Sequence, residues 1–106
     1  MNFYEIRDVV EKQVQNARRY QEFVRVPALS AGIYILPVGA ADTQHPHKED
    51  ELYYVVSGRA RMRVGSQEHA VGPGSIIFVE AETEHRFLDI TEELQVLVFF
   101  APAESS

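Results

Sequence analysis

The sequence predicts an all-β domain of the sandwich, jelly-roll or barrel type, preceded by one short helix. Its length of 106 residues corresponds to one domain. Hydrophobic residues make up 45% and charged residues 25% of the chain, as in ordinary globular proteins, so a disordered or low-complexity chain is excluded. Beyond residue 19, short runs of β-branched and aromatic residues alternate with clusters of Gly, Pro and Asp, which is the pattern of strands joined by turns.

Residues 1–19 are expected to form a helical segment that packs on the β-domain. Apolar side chains recur there with the periodicity of an amphipathic helix, at Phe3, Ile6, Val9, Val10, Val14 and Ala17. Asn2 and Glu5 have the spacing of a capping box at a helix N-terminus. Residues 20–101 are then the β-domain itself, and residues 102–106 form a short tail.

Eight short segments of the β-domain have strand character. They are residues 20–26, 31–36, 52–57, 60–64, 69–71, 75–79, 86–89 and 94–100. Gly58 and Gly65 lie in turn-like sequences that bracket one of these strands, and Gly72 begins a strong Gly-Pro-Gly turn sequence. So many short, evenly spaced strands predict two packed sheets or a closed barrel.

The charge balance and the absence of cysteine exclude several classes of function. Ten Lys and Arg residues against sixteen Asp and Glu give a net charge of -6, which argues against binding to nucleic acid. Without cysteine there are no disulfides or thiolate metal sites, and a reducing cytoplasm is the expected location. The N-terminus lacks the apolar stretch of a signal peptide, and the longest uncharged run, residues 26–41, is too short for a membrane helix. We expect neither a nucleic-acid nor a membrane partner.

Two histidines form the first candidate site. His45 and His47 are two residues apart, so on an extended segment their side chains point to the same side. Glu51 follows four residues later, and imidazole with carboxylate is a normal ligand set for divalent first-row metals. A polar loop that precedes the charged residues 48–51 explains the same residues equally well.

The glycines on either side favour the metal site. Five residues lie between Gly39 and His45, and one lies between His45 and His47. Three residues then precede Glu51, and six more precede Gly58. This order and spacing of Gly, His, His, Glu and Gly resembles the first motif of the cupin family at every position.

A second cupin motif is present in altered form. Gly74 begins it, and His85 lies where the motif has its histidine. Three motif positions differ, since Glu80 replaces a proline, Glu82 a glycine and Asp89 an asparagine. The backbone of the turn before His85 is therefore expected to be free to differ from that of the usual motif. The resemblance covers residues 31–101, and the first motif is its specific part.

The resemblance implies a small antiparallel β-barrel of the jelly-roll type, also called a double-stranded β-helix. It also implies that His45, His47, Glu51 and His85 are the ligands of one divalent transition metal per chain. Iron, manganese, nickel, cobalt, copper and zinc all suit such a set of imidazoles and a carboxylate, so the residues leave the metal open. The remaining histidine, His69, lies in a polar hairpin and is interpreted as a solvated turn residue.

Strand alternation assigns roles to two aromatic neighbours of these residues. If Glu51 points into the domain, Tyr53 shares its side and is a candidate for the wall of a pocket beside the metal. By the same alternation Phe87 shares the side of His85.

A stripe of arginines is predicted on the outer surface. Arg59, Arg61 and Arg63 alternate with apolar residues, and a solvated strand face is favoured over an anion site or an interface. A barrel this small exposes strand edges, so we predict a homodimer, assembled through this outer face or by exchange of the N-terminal segment.

The resemblance implies a metal-dependent enzyme that acts on a small organic molecule, through dioxygenase-like chemistry or through enolate-forming isomerase or lyase chemistry. Glu51, or a water on the metal, is the candidate base. The acidic residues near His85 disfavour phosphorylated substrates, whereas a single carboxylate has Arg86 or Lys48 as a candidate partner. The alternative is a non-catalytic module with the same barrel that binds a small ligand or a metal as a sensor.

Overall fold

Within residues 2–105, which the computed structural model describes, the chain forms one helix and six strands. The elements are α1 (Ile6–Gln15), β1 (Tyr20–Val26), β2 (Leu29–Leu36), β3 (Asp50–Val64), β4 (Gln67–Val71), β5 (Ile76–Val79) and β6 (His85–Ala101). Met1 and Ser106, the outermost residues of the predicted N-terminal segment and tail, lie outside the described residues. None of the helical structure in the described range is long and apolar enough to cross a membrane.

All strand pairs are antiparallel, and the two long strands β3 and β6 lie at the centre of the sheet. Strand β2 lies beside β6, with β1 at the outer edge. The first half of β3 also pairs with β5, and its second half with β4. The core lies mainly between the inner faces of β3 and β6. The prediction of an antiparallel all-β domain behind one short helix is confirmed.

Strands β3 and β6 each replace two predicted strands. The predicted breaks between 52–57 and 60–64, and between 86–89 and 94–100, were wrong. Gly58, interpreted as part of a turn, lies within β3 at a positive φ of 95°, where the register against β6 shifts. A side chain at this position would collide with the Glu93 carbonyl group, so a residue without Cβ occupies the bulge.

This bulge changes which side chains of β3 face inwards. Before it, the odd-numbered residues Glu51 and Tyr53 are buried. After it, the even-numbered residues Ala60 and Met62 are buried. The residues that face outwards beyond the bulge are the predicted stripe Arg59, Arg61 and Arg63.

The helix begins at Ile6, so Phe3 precedes it and is 85% exposed. Glu5 takes the N-cap position, and no side-chain hydrogen bond caps this end of the helix in the described structure. The predicted capping box of Asn2 and Glu5 was therefore wrong, because Glu5 stands where the box requires Asn2.

A glutamine attaches the helix to the sheet. Gln13 is fully buried and donates its amide Nε2 to the carbonyl oxygens of Arg19 and Ile33, at 2.9 Å in each case. Val14, which the apolar pattern placed on the packed side, is instead 65% exposed. The two bonds satisfy one backbone oxygen just before β1 and one within β2, which offsets the burial of the amide N–H2, while Gln13 Oε1 has no partner among the described residues.

Candidate metal centre

Three of the predicted ligands converge inside the barrel. The Nε2 atom of His47 lies 3.6 Å from Glu51 Oε1, and the Nε2 atom of His85 lies 3.3 Å from the same oxygen. One potential ligand atom from each residue lies within 4.8 Å of the others. The three side chains come from the end of the β2–β3 loop, the start of β3 and the start of β6.

The turn between β5 and β6 brings His85 to the other two residues. Val79, at the end of β5, pairs with Glu51. The following turn is then bound to the β2–β3 loop, because Glu82 N donates to the His47 carbonyl oxygen at 2.7 Å and Ala81 N donates to Asp50 Oδ1 at 2.9 Å. The chain thus reaches His85 beside the other two ligands although it lies 34 positions after Glu51 in the sequence.

The altered second motif keeps the backbone conformations that its usual residues favour. Glu82 replaces a glycine, yet its φ is 65°, in the left-handed region that favours glycine. Asp89 replaces an asparagine and has a φ of 50°, which both residue types tolerate better than most. The substitutions therefore change the side chains of this segment, while its positive-φ positions are retained.

The converging atoms are buried and lack partners. Glu51 is 1% exposed and His85 is 5% exposed. The two histidine Nε2 atoms and both carboxylate oxygens of Glu51 have no hydrogen-bond partner among the described residues. Buried polar groups without partners are costly, and a carboxylate more so than a neutral group. Two imidazole nitrogens and a carboxylate are donors that a divalent cation satisfies, so the residues fit such an ion.

The charge of Glu51 is also unfavourable in the absence of a cation. Burial raises the pKa of this carboxyl group to about 7, although the nearby Tyr53 hydroxyl and, to a smaller extent, His47 act in the opposite direction. A cation at this position would favour the ionised form, because opposite charges in a poorly solvated site attract strongly.

Each imidazole ring has an oxygen atom close to the nitrogen that faces away from Glu51. The Nδ1 atom of His85 lies 2.8 Å from the Thr83 carbonyl oxygen, which can only accept a hydrogen bond. The proton of this ring is therefore on Nδ1, and Nε2 has its lone pair free for a ligand bond. The Nδ1 atom of His47 lies 3.4 Å from Glu104 Oε2. Neither partner was predicted. The Thr83 contact is local to the turn before His85, whereas the Glu104 contact depends on the chain folding back beside His47.

His45 does not join the three converging residues. Its side chain is exposed and borders a cleft of about 550 Å³, which His85 also borders. The prediction that His45 is a fourth ligand stays a prediction. His69 lies exposed on β4, where it pairs with Met62, and is likewise outside the cluster.

The two predicted pocket residues lie beside the cluster. Tyr53 is fully buried, with its ring 6.0 Å from that of His85 and 5.4 Å from that of Phe87. The Tyr53 hydroxyl donates to Gln44 Oε1 at 2.8 Å. Gln44 also lines the cleft, so Tyr53 links the metal centre to the cleft wall.

Asp42 fixes this part of the wall. Its carboxylate accepts hydrogen bonds from the Gln44 side chain at 2.6 Å and from the backbone N–H of Phe87 at 2.8 Å. The sequence analysis missed Asp42 and Gln44 as site residues. Their position just before His45 in the same loop was the only signal available.

Comparison with known proteins settles the family. The model of the cupin domain matches residues 32–101, which include both motifs. The chain belongs to the cupin family. The resemblance found in the sequence is thereby confirmed, and so is the all-β barrel that it implied.

Individual relatives extend this result over the full chain. An uncharacterised protein of Streptomyces coelicolor is 40% identical over 105 residues, which are 99% of this chain and 100% of that protein. The TT1209 structure from Thermus thermophilus has a TM-score of 0.75 at 20% identity and covers 97% of this cupin and 99% of that chain. The DMSP lyase DddQ from Ruegeria pomeroyi has a TM-score of 0.70 at 20% identity, covering 82% of this cupin and 49% of that chain. At these identities the two structures show the shared fold.

Proposed function

We propose that this cupin binds one divalent transition metal through His47, Glu51 and His85 and acts as a metal-dependent enzyme on a small organic molecule. The observation that carries the proposal is the group of buried, unpaired nitrogen and oxygen atoms on these three residues. We include His45 as a fourth ligand, because it shares a loop with His47 and borders the same cleft as His85. Iron, manganese, nickel, cobalt, copper and zinc all suit these donors.

A bound divalent cation supplies Lewis-acid chemistry, because it polarises an oxygen of the substrate and stabilises negative charge that develops there. The two carboxylate oxygens of Glu51 have different roles in this proposal, one as a metal ligand and one as a base. Its Oε1 atom faces both imidazole rings and serves as the ligand atom, whereas Oε2 is buried without a partner and can take up a proton from the substrate. Tyr53 is buried beside this carboxylate and packs against the buried ring of Phe87, so the pair helps to exclude water from the site.

The cleft next to His85 is the proposed entrance for the substrate. Its volume of about 550 Å³ lies in the range of small-molecule sites. Arg63 and Arg86 line it as cross-strand neighbours on β3 and β6. A substrate with a single carboxylate fits these cations, whereas the net charge of -6 disfavours phosphorylated compounds.

The reaction we propose is dioxygenase-like, or an enolate-forming isomerisation or elimination. Both types of reaction require that a small substrate binds with its oxygen atoms close to Glu51. The Ruegeria pomeroyi protein is a lyase on the same fold, which supports the second type without assigning its substrate here. A non-catalytic sensor of a metal or small ligand is the alternative outcome of the experiments below.

Metal analysis of the purified protein tests the proposal. We expect one divalent metal per chain, and we expect H47A, E51A and H85A to lose it. The matched control is H69A, because His69 is an exposed histidine outside the cluster. A wild-type chain that holds no metal after supplementation, or an H85A chain that keeps it, contradicts the proposal.

Chelation followed by thermal unfolding adds a second measurement. A metal that binds only the folded state stabilises it by about 2.7 kcal/mol when its concentration is 100 times the dissociation constant. We therefore expect a chelator to lower the melting temperature of the wild type and of H69A, and metal added back to restore it. Turnover of candidate carboxylates by the metal-loaded protein then separates the enzyme from the sensor, which would bind them without changing them.

A further inference from the structure

The C-terminal segment after β6 is attached to the barrel beside the metal centre. We call residues 102–105 the C-terminal strap. The backbone of the strap makes three hydrogen bonds that do not involve Glu49: Ala103 N to the Pro27 carbonyl oxygen at 3.2 Å, Glu104 N to Ser30 Oγ at 2.9 Å, and Arg25 Nη2 to the Glu104 carbonyl oxygen at 2.6 Å. Ser30 is fully buried, so the strap contacts the interior at Glu104, whereas Pro102 and Ser105 stay exposed. The sequence analysis assigned these residues no role beyond a tail.

The end of the strap is held by a buried carboxylate. Ser105 donates to Glu49 Oε2 through its hydroxyl at 2.7 Å and through its backbone N–H at 3.2 Å. Glu49 is 4% exposed and lies two residues after His47. The contacts on both sides of Glu104 therefore fix the backbone from which its side chain extends.

The side chain of Glu104 faces His47 from the side opposite to the metal centre. Its Oε2 atom lies 3.4 Å from His47 Nδ1, while His47 Nε2 lies 3.6 Å from Glu51 Oε1. The two nitrogens of an imidazole ring point in different directions. An ion held by Nε2 and Glu51 is thus contacted by His47 and not by Glu104.

We propose that, given the metal binding proposed above, Glu104 is a positioning residue that holds the His47 ring for the metal. Its carboxylate accepts the Nδ1 proton of His47, which leaves the Nε2 lone pair directed at Glu51 and His85. The Thr83 carbonyl oxygen does the same for His85 at 2.8 Å. Both imidazole ligands are then held in one tautomer by an oxygen on the far side of the ring, an arrangement that orients metal-binding histidines and raises their basicity.

The test compares E104A and E104Q with S105A in the full-length chain. S105A is the matched control, because it removes a hydrogen bond of the strap to Glu49 and leaves the Glu104 carboxylate in place. Zinc is the probe metal, and its affinity is measured by competition with a chromophoric chelator. The tautomer of His47 is measured separately in the metal-free protein, by long-range proton–nitrogen NMR of the imidazole rings.

We expect E104A to lower zinc affinity by about 10- to 100-fold, the usual effect of removing a residue that supports a metal ligand. We also expect its His47 ring to change from a single Nδ1–H tautomer to a mixture. E104Q keeps an oxygen acceptor without charge, so it should retain the tautomer with a smaller loss of affinity. S105A should retain both.

Three results would overturn the role of Glu104. These are an unchanged His47 tautomer in E104A, an unchanged zinc affinity in E104A, and equal losses in E104A and S105A, which would assign the effect to the strap as a whole. A wild-type chain that binds neither zinc nor any other of the divalent metals named above instead refutes the proposed function. In that case the tautomer of the metal-free protein still decides whether Glu104 holds His47.

Discussion

Two groups of charged residues lie on opposite sides of β3, and they differ in solvation. The first is the candidate metal centre on the inner side, where the side chains of Glu51 and His85 are almost fully shielded from water. The second is the outer arginine ladder, in which Arg59, Arg61 and Arg63 pair with Glu68 or Glu92. The nitrogen–oxygen distances in the ladder are 3.2–3.8 Å, close to those in the centre. Distance alone therefore does not distinguish the two groups.

The two groups differ in how far their charged side chains are exposed to water. Each ladder residue keeps roughly a third or more of its side chain exposed, so its charge is solvated and its ion pairs contribute little. The metal centre has unpaired acceptors that water does not reach. Residues of similar chemistry thus form a solvated surface on one side of the strand and a candidate ion site on the other.

The largest expected effect contrasts a carboxylate from each group. E51Q keeps the shape of the side chain but removes the ligand charge, and we expect metal affinity to fall by more than the about 100-fold seen when supporting residues are lost. E68Q makes the same chemical change in the ladder and should bind metal like the wild type. Isothermal titration of both metal-free variants measures the difference, and equal affinities would remove the distinction between the two groups.

The pH dependence of stability should also separate them, by a smaller amount. Burial raises the pKa of Glu51 to about 7, against 4.5 for an ordinary glutamate. A carboxyl group with a raised pKa in the folded state stabilises the fold fully below pH 4.5, and this contribution is lost as the pH rises through about 7. In metal-free protein we expect it to reach at most about 3 kcal/mol.

Denaturant unfolding between these pH values, with a chelator present, checks this expectation. The wild type should lose stability relative to E51Q as the pH rises, because E51Q has no carboxyl group to ionise at this position. E68Q should follow the wild type. If the free energies of unfolding of wild type and E51Q change in parallel with pH, the pKa of Glu51 is not raised in the folded state.

The smallest effect is expected in the ladder itself. R61A should change the free energy of unfolding by less than about 1 kcal/mol, and by still less at high salt. Light scattering of the same variant tests the predicted homodimer. If the outer face is the interface, R61A will shift the protein towards monomer, whereas a wild type that is monomeric at micromolar concentration contradicts the homodimer altogether.

The residue pattern was sufficient for the class of fold and for the residues at the centre. Glu51 and Tyr53 share a face because strand alternation is local, and the same rule placed Phe87 beside His85. The resemblance of two segments to the cupin motifs singled out His45, His47 and His85 as candidates. These inferences succeeded because each depends on residues within one strand or one loop.

The continuity of β3 and β6 through the predicted breaks could not be obtained from local patterns. Gly58 lies in a turn-like sequence. Only its packing against the Glu93 carbonyl group shows that the strand continues through a bulge. Similarly, Gln13 is buried because two carbonyl oxygens at the sheet require its amide, although an apolar pattern favours Val14. In both cases a contact distant in sequence outweighs the local preference.

By itself, the sequence determined the all-β class, because strand periodicity is local, and its resemblance to the cupin motifs implied the family, the barrel and a set of candidate ligands. The tertiary structure decided which of those candidate ligands converge. His47, Glu51 and His85 lie together, whereas His45 lies apart from them on the cleft wall. It alone brought in Glu104, which lies 57 residues after His47. The physical reason is that burial and hydrogen bonding depend on the side chains that surround a residue in space, and most of those belong to other strands.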